Sequence, residues 1–182
     1  MIGRLLLAAS AVLLITARPP GPGPAVAGFL PTPEAGKRWQ VVFEDDFDTL
    51  NPAVWTVRGD HPRAGGVWLK KNVKVEGGNL HLITSLEGDR MATGAIDTDG
   101  KRNWRYGYFV IRAKLPLVPA GHRPAFWLQT QGTFSKADEG RDGTEIDIFE
   151  AWSRSGRVQH NLHWDVSRKG PDRKTTGITS PI

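Results

Sequence analysis

An all-β sandwich or barrel is the fold class that this 182-residue sequence predicts, and two observations point to it. Gly (21) and Pro (13) recur throughout the chain, and the segments between them are short and rich in β-branched and aromatic residues, the spacing of strands and turns. No stretch sustains the apolar period of a long amphipathic helix. With 39% hydrophobic content the length suffices for one domain with a real core.

The first element is an export signal. Arg4 precedes a mostly apolar run from Leu5 to Ile15, Pro-rich sequence follows, and Ala25-Val26-Ala27 offers a small-residue cleavage site, with cleavage after Ala17 as the alternative. Residues 1–27 are therefore read as a signal peptide, 28–37 as a flexible lead-in and 38–182 as the domain, in a secreted or periplasmic protein. The apolar run falls short of the ~20 residues that span a bilayer, so no stable membrane span is expected. The chain has no Cys, which rules out disulfides and leaves packing or a bound ion to hold an exported fold.

Trp39 to Phe47 reads as the first strand of the domain, ending in acids, and Asn51-Pro52 as a turn before Trp55. Residues 72–76 and 79–84 flank Gly77-Gly78, which predicts a hairpin. Residues 106–117 alternate, with Tyr106, Tyr108, Val110 and Arg112 on one face and Phe109, Ile111, Ala113 and Leu115 on the other, until Pro116 and Pro119 stop the strand. Residues 124–130 form another short strand, and the Gly-rich, charged stretch 132–143 a loop. Residues 158–165 suit an antiparallel partner for the strand after that loop, while 167–182 are polar and carry no strong signal.

That strand, Glu145-Ile146-Asp147-Ile148-Phe149-Glu150, holds the most informative residues of the chain. Its apolar members favour a half-buried pleated surface, and Glu145 and Asp147, two apart, project from the opposite face. Strict alternation would turn Glu150 toward the apolar side, a costly place for a carboxylate, whereas one extra residue at Ile148-Phe149 returns it to the acidic face. A β-bulge is predicted there. The outer α-carbons then lie about 13 Å apart along the strand, a span that long side chains can narrow. Two carboxyl groups ~5–5.5 Å apart serve a retaining glycosidase as nucleophile and acid/base, and a third acid between them can hydrogen-bond a neighbour and help keep the acid/base partner protonated. Taken alone, the pattern fits an exposed acidic edge or a calcium site equally well.

Charge narrows the partners. The net charge of +5 falls to +3 once Arg4 and Arg18 leave with the acid-free leader, and the remaining Lys and Arg are scattered. This argues against nucleic acid as a partner. The His residues lack ligand-like spacing, so metal catalysis is not expected.

Several stretches together resemble glycoside hydrolase family 16. They are Val42-Phe43-Glu44-Asp45-Asp46-Phe47-Asp48, Asn72-Val73-Lys74-Val75-Glu76-Gly77-Gly78-Asn79-Leu80, Tyr106-Gly107-Tyr108-Phe109 with Arg112-Ala113-Lys114-Leu115-Pro116, Pro124-Ala125-Phe126-Trp127-Leu128, the acidic strand and His163. The resemblance implies a concanavalin-like jelly-roll β-sandwich that cleaves polysaccharide within the chain and with retention, in the bulged branch with laminarinases, agarases and carrageenases. It implies Glu145 as nucleophile, Asp147 as supporting acid and Glu150 as general acid/base, acting on a β-1,3-glucan or a galactan. His163 lies where the family places a histidine beside the catalytic strand. Trp127, Trp68 and Trp152 are candidates to stack on sugar rings, and Asn72 and Arg112 to bond sugar hydroxyls. No cofactor is required, a structural calcium ion at Glu44, Asp45 or Asp46 is the one metal considered, and a monomer is expected.

The sequence departs from the family pattern in places. Val110 stands where Glu is usual, Gly121-His122-Arg123 replaces the usual Gly-x-Trp, and Thr144 precedes the acidic strand where Gly is common. Family domains also run several strands further than Ile182, so the sequence suggests a jelly roll incomplete at its C-terminus. The competing readings are a non-catalytic carbohydrate-binding sandwich and a truncated remnant without function. Retention of both glutamates speaks against the first.

Overall fold

The computed structural model describes residues 11–16, 30–63, 65–116, 122–130, 144–151, 156–164 and 174–181. The chain divides into two compact units, Met1–Ala113 and Lys114–Ile182. Among the described residues the regular structure is β, apart from a single 3-10 turn at Lys70–Asn72. No helix among them is long and apolar enough to cross a membrane.

The first unit contains β1 (Ala11–Thr16), β2 (Gln40–Asp45), β3 (Thr56–Arg58), β4 (His61–Arg63), β5 (Gly66–Trp68), β6 (Val73–Glu76), β7 (Asn79–Leu82), β8 (Thr84–Glu87), β9 (Arg90–Thr93), β10 (Ala95–Asp97) and β11 (Tyr108–Arg112). β6 and β7 pair antiparallel, Glu76 facing Asn79, around Gly77 and Gly78 at φ 58° and 66°. Positive φ at both central residues is what a tight two-residue hairpin turn demands and what Gly supplies without a Cβ penalty. β8 and β9 form a second hairpin within a four-stranded sheet of order β4-β5-β9-β8, and β3 pairs with β10. Arg58 on β3 bonds Asp97 on β10 and reaches Asp99, and the bond to Asp97 above all raises the guanidinium's already high pKa.

The core of this unit gathers around Phe47, Val54, Trp55 and Ala92, all buried. Asp45 organises its entry. One carboxylate oxygen accepts from the backbone N–H of Phe47 at 2.9 Å and the other from the indole of Trp55 at 2.6 Å, which holds Phe47 at φ 56° against the Trp55 ring. Phe43, Trp104 and Phe109 continue the aromatic cluster edge to face.

The described part of the apolar run read as an export signal, together with Thr16, forms β1, which lies between β2 and β11, parallel to both. Its backbone pairs Val12 with Tyr108 on one side and with Val41 on the other. A β-branched and leucine-rich hexapeptide satisfies a strand position flanked on both edges as readily as it satisfies a signal sequence. Of the segment 106–117, expected as one strand, the described residues 106–116 are regular only over β11.

The second unit contains β12 (Ala125–Gln129), β13 (Glu145–Ala151), β14 (Arg157–Trp164) and β15 (Lys174–Pro181) in one antiparallel sheet of order β12-β13-β14-β15. The C-terminal stretch that looked featureless thus contains an eight-residue strand, β15. Its Thr175, Thr176, Ile178 and Thr179 are the β-branched signal that its polarity obscured. The expected loop at 132–143 lies outside the described residues.

Candidate active site

The acidic strand β13 is bulged where its sequence requires. Asp147 faces Asn161 and Glu150 faces Gln159 on β14, so Ile148 and Phe149 together oppose the single residue His160. Register against β12 slips at the same place, with Trp127 facing Asp147 and Phe126 facing Phe149. Glu150 consequently turns back to the face of Glu145 and Asp147.

Three cross-strand rows build that face. Gln129, Glu145 and His163 form the first, Trp127, Asp147 and Asn161 the second, and Ala125, Glu150 and Gln159 the third. Within the first row Gln129 donates to Glu145 Oε2 at 3.0 Å. His163 Nε2 lies 3.1 Å from Asp147 Oδ2 and 3.9 Å from Glu145 Oε1. Facing only acceptors, Nε2 carries the hydrogen and donates to Asp147.

Asn161 ties the other acids together. Its Nδ2 donates to Asp147 Oδ2 at 3.2 Å and to Glu150 Oε2 at 3.0 Å, and both carboxylates are buried, Asp147 at 3% and Glu150 at 8% exposure. Burying acids without donors would cost several kcal/mol each, and these two are placed where β14 supplies them. Arg123, just before β12, adds a charged partner, Nη2 to Glu150 Oε2 at 2.5 Å. The backbone holds it close, since Ala151 N donates to the carbonyl of Pro124 at 2.9 Å.

The arrangement sets two glutamates on either side of a buried, hydrogen-bonded aspartate, with histidine, asparagine and arginine donors around them. Chemically it offers a carboxylate held by a neutral amide, Glu145, and a second held by a cation and an amide, Glu150. The ligand atoms of Glu145, Asp147 and His163 lie within 4.8 Å of one another, the one such group among the described residues. Glu44, Asp45 and Asp46 do not form one there, and Asp45 has both oxygens engaged by Phe47 and Trp55. The donor set around Asp45 is that of a structural cap.

Of the predicted site residues, Glu145, Asp147, Glu150, His163 and Trp127 share this face. Asn72, Arg112 and Trp68 belong to the first unit. Asn72 is buried at 3% exposure and its Nδ2 donates to Ile83 O, Ser85 Oγ and Ala92 O, which corrects the expectation that it bonds a sugar: its amide ties the start of β6 to β8 and β9. Trp68 stacks edge-on with His61 and carries Arg63 over its ring at 5.1 Å, and Arg112 is exposed at the end of β11. Trp152 lies outside the described residues. Sequence reasoning missed Arg123, Asn161 and Gln129 as partners of the acids, because each reaches them only through strand register. The replacement of the usual Trp by Arg123 was the one available signal.

Comparison with known proteins identifies the family. Residues 61–178 match the model of glycosyl hydrolases family 16. A β-glucanase of Rhodothermus marinus is 32% identical over 133 residues, covering 62% of this chain and 43% of that protein. An endo-1,3-1,4-β-glycanase of Rhizobium meliloti (strain 1021) is 31% identical over 137 residues, covering 70% of this chain and 46% of that protein. Among solved structures, a family 16 endo-glucanase from Bacteroides ovatus superposes with a TM-score of 0.58 at 21% identity, over 76% of this chain and 62% of the other. The chain therefore spans less than half the length of these curated relatives, and its fold is that of family 16 jelly rolls.

Proposed function

The chain belongs to glycosyl hydrolases family 16, and we propose that it carries the catalytic centre of an exported, endo-acting glycosidase that hydrolyses a β-linked glucan with retention of configuration. The observation that carries this reading is the gathering of Glu145, Asp147 and Glu150 on one face by the bulge opposite His160. In the proposed reaction Glu145 attacks the anomeric carbon while Glu150 gives its proton to the departing glycosidic oxygen. The bond from carbon to that oxygen breaks, and a glycosyl ester to Glu145 forms. Glu150, now a carboxylate, then takes a proton from water, whose oxygen displaces Glu145.

Asp147 acts between the two. Accepting from His163 and Asn161, it keeps a fixed negative charge beside both glutamates and holds the donors in place. Trp127, on the same face and directly across from Asp147, offers an indole surface to the C–H face of a sugar ring. A glucan with 1,3 linkages is favoured over a galactan because the two curated relatives are a β-glucanase and an endo-1,3-1,4-β-glycanase. Residues 1–27 act as the export leader in this reading, so β1 belongs to the chain before cleavage and is lost with the leader, and the protein works as a monomer without a cofactor.

The test is Glu145→Gln in the 182-residue chain, assayed on laminarin, lichenan, agarose and carrageenan by release of reducing ends. Loss of at least about 10³-fold on the glucans with an unchanged thermal melt is expected. Unchanged hydrolysis would refute the assignment. Proton NMR of the first-formed sugar reads retention directly, and an inverted anomer would refute that part alone.

A further inference from the structure

We infer that Arg123 and Asn161 determine which oxygen of Glu150 carries the catalytic proton, reserving Oε2 as the acceptor and leaving Oε1 as the proton-bearing atom. The inference rests on the glycosidase reading above and adds two positioning residues to it. Oε2 receives two donors, Arg123 Nη2 at 2.5 Å and Asn161 Nδ2 at 3.0 Å. Neither a guanidinium nor an amide NH2 can accept a proton in return. In a protonated carboxyl the carbonyl oxygen is the strong acceptor and the hydroxyl oxygen a weak one, so two donors on one oxygen select it as the carbonyl. The hydroxyl is then Oε1, to which no described residue donates.

The same contacts act after the proton has left. Negative charge grows on Glu150 as Oε1 releases its proton to the glycosidic oxygen, and the guanidinium of Arg123 is already in place to meet it. The carboxylate is also held from turning over. Arg123 grips it from before β12 and Asn161 from β14, the strands on either side of β13. When water attacks the glycosyl ester, the base is again Oε1, and the proton returns to the atom that gave it. Arg123 is half exposed at 48%, so this cation reaches the site from the solvent side while Asn161 is buried.

A positioning role in acid catalysis has a signature that a purely structural role lacks: it depends on how much help the leaving group needs. The 182-residue chain and its Arg123→Met and Arg123→Lys variants would be assayed on an unmodified β-glucan oligosaccharide and on the matching 2,4-dinitrophenyl glycoside, whose phenolate leaves unprotonated. Arg123→Met is expected to lose about 10²-fold in kcat/KM on the oligosaccharide and less than about threefold on the dinitrophenyl glycoside, with Arg123→Lys between wild type and Met on the first substrate. Equal losses on both substrates, or no loss on either, would overturn the inference while leaving the glycosidase reading intact. A wild-type chain inactive on both would overturn the two together. Thermal melts of each variant separate loss of fold from loss of acid catalysis.

Discussion

His160 Nδ1 lies 2.6 Å from the carbonyl oxygen of Ile148, the residue at which β13 carries one more position than β14. The other ring nitrogen lies 2.8 Å from Ser180 Oγ on β15. These partners select the tautomer in which Nδ1–H donates to the carbonyl and Nε2 accepts from the serine hydroxyl. A bulge leaves a backbone group without its ladder partner, and this imidazole supplies one from the next strand. The turn of Glu150 onto the acidic face is thereby fastened two strands away.

The bulge predicts an unequal response to two single-residue deletions in β13. Removal of Ile148 yields a strictly alternating Glu-x-Asp-x-Glu strand in which all three acids still share a face, whereas removal of Ile146 makes Glu145 and Asp147 adjacent and sends them to opposite faces. The first deletion is expected to retain measurable hydrolysis of laminarin and the second to lose at least about 10³-fold. Equal inactivation of two variants that both melt cooperatively would contradict this account.

Asn161 predicts a distant effect at Gly177. A Cβ at Gly177 would stand 2.3 Å from Asn161 Oδ1 and 2.8 Å from His160 O, so Gly177→Ala must push the amide away from Asp147 and Glu150. Urea unfolding is expected to show a loss of ~1–3 kcal/mol for Asn161→Ala, which leaves each buried acid one donor short. Gly177→Ala should cost less in an Asn161→Ala background than alone, since much of its clash is with that side chain. Strict additivity of the two would show that Gly177 acts elsewhere.

Residues 1–27 predict a stability test of their own. Their removal takes β1 from between β2 and β11 and opens the facing edge of each, so the chain from residue 28 onward should melt more than about 5 °C below the 182-residue chain. An unchanged melt would mean that another segment takes the seat of β1.

Much of the site was legible because it is local. The spacing of Glu145, Asp147 and Glu150 among Ile146, Ile148 and Phe149 announces both the shared face and the bulge, and Gly77-Gly78 announces the hairpin of β6 and β7. Of the partners of the acids, only His163 was legible, through the family resemblance. Gln129 and Asn161 meet β13 at registers that pairing sets, and Arg123 reaches Glu150 across 27 positions. Asn72 shows the reverse error, a polar residue that looks available for a ligand until its amide is found bonded to Ile83, Ser85 and Ala92.

The sequence by itself determined which acids share one face, because period-two alternation and its single interruption are properties of one strand. Tertiary structure decided what each acid touches. A carboxylate's second oxygen, its donor and the side from which charge arrives depend on strands that are neighbours only after folding, and hydrogen bonds of about 3 Å discriminate where sequence patterns cannot.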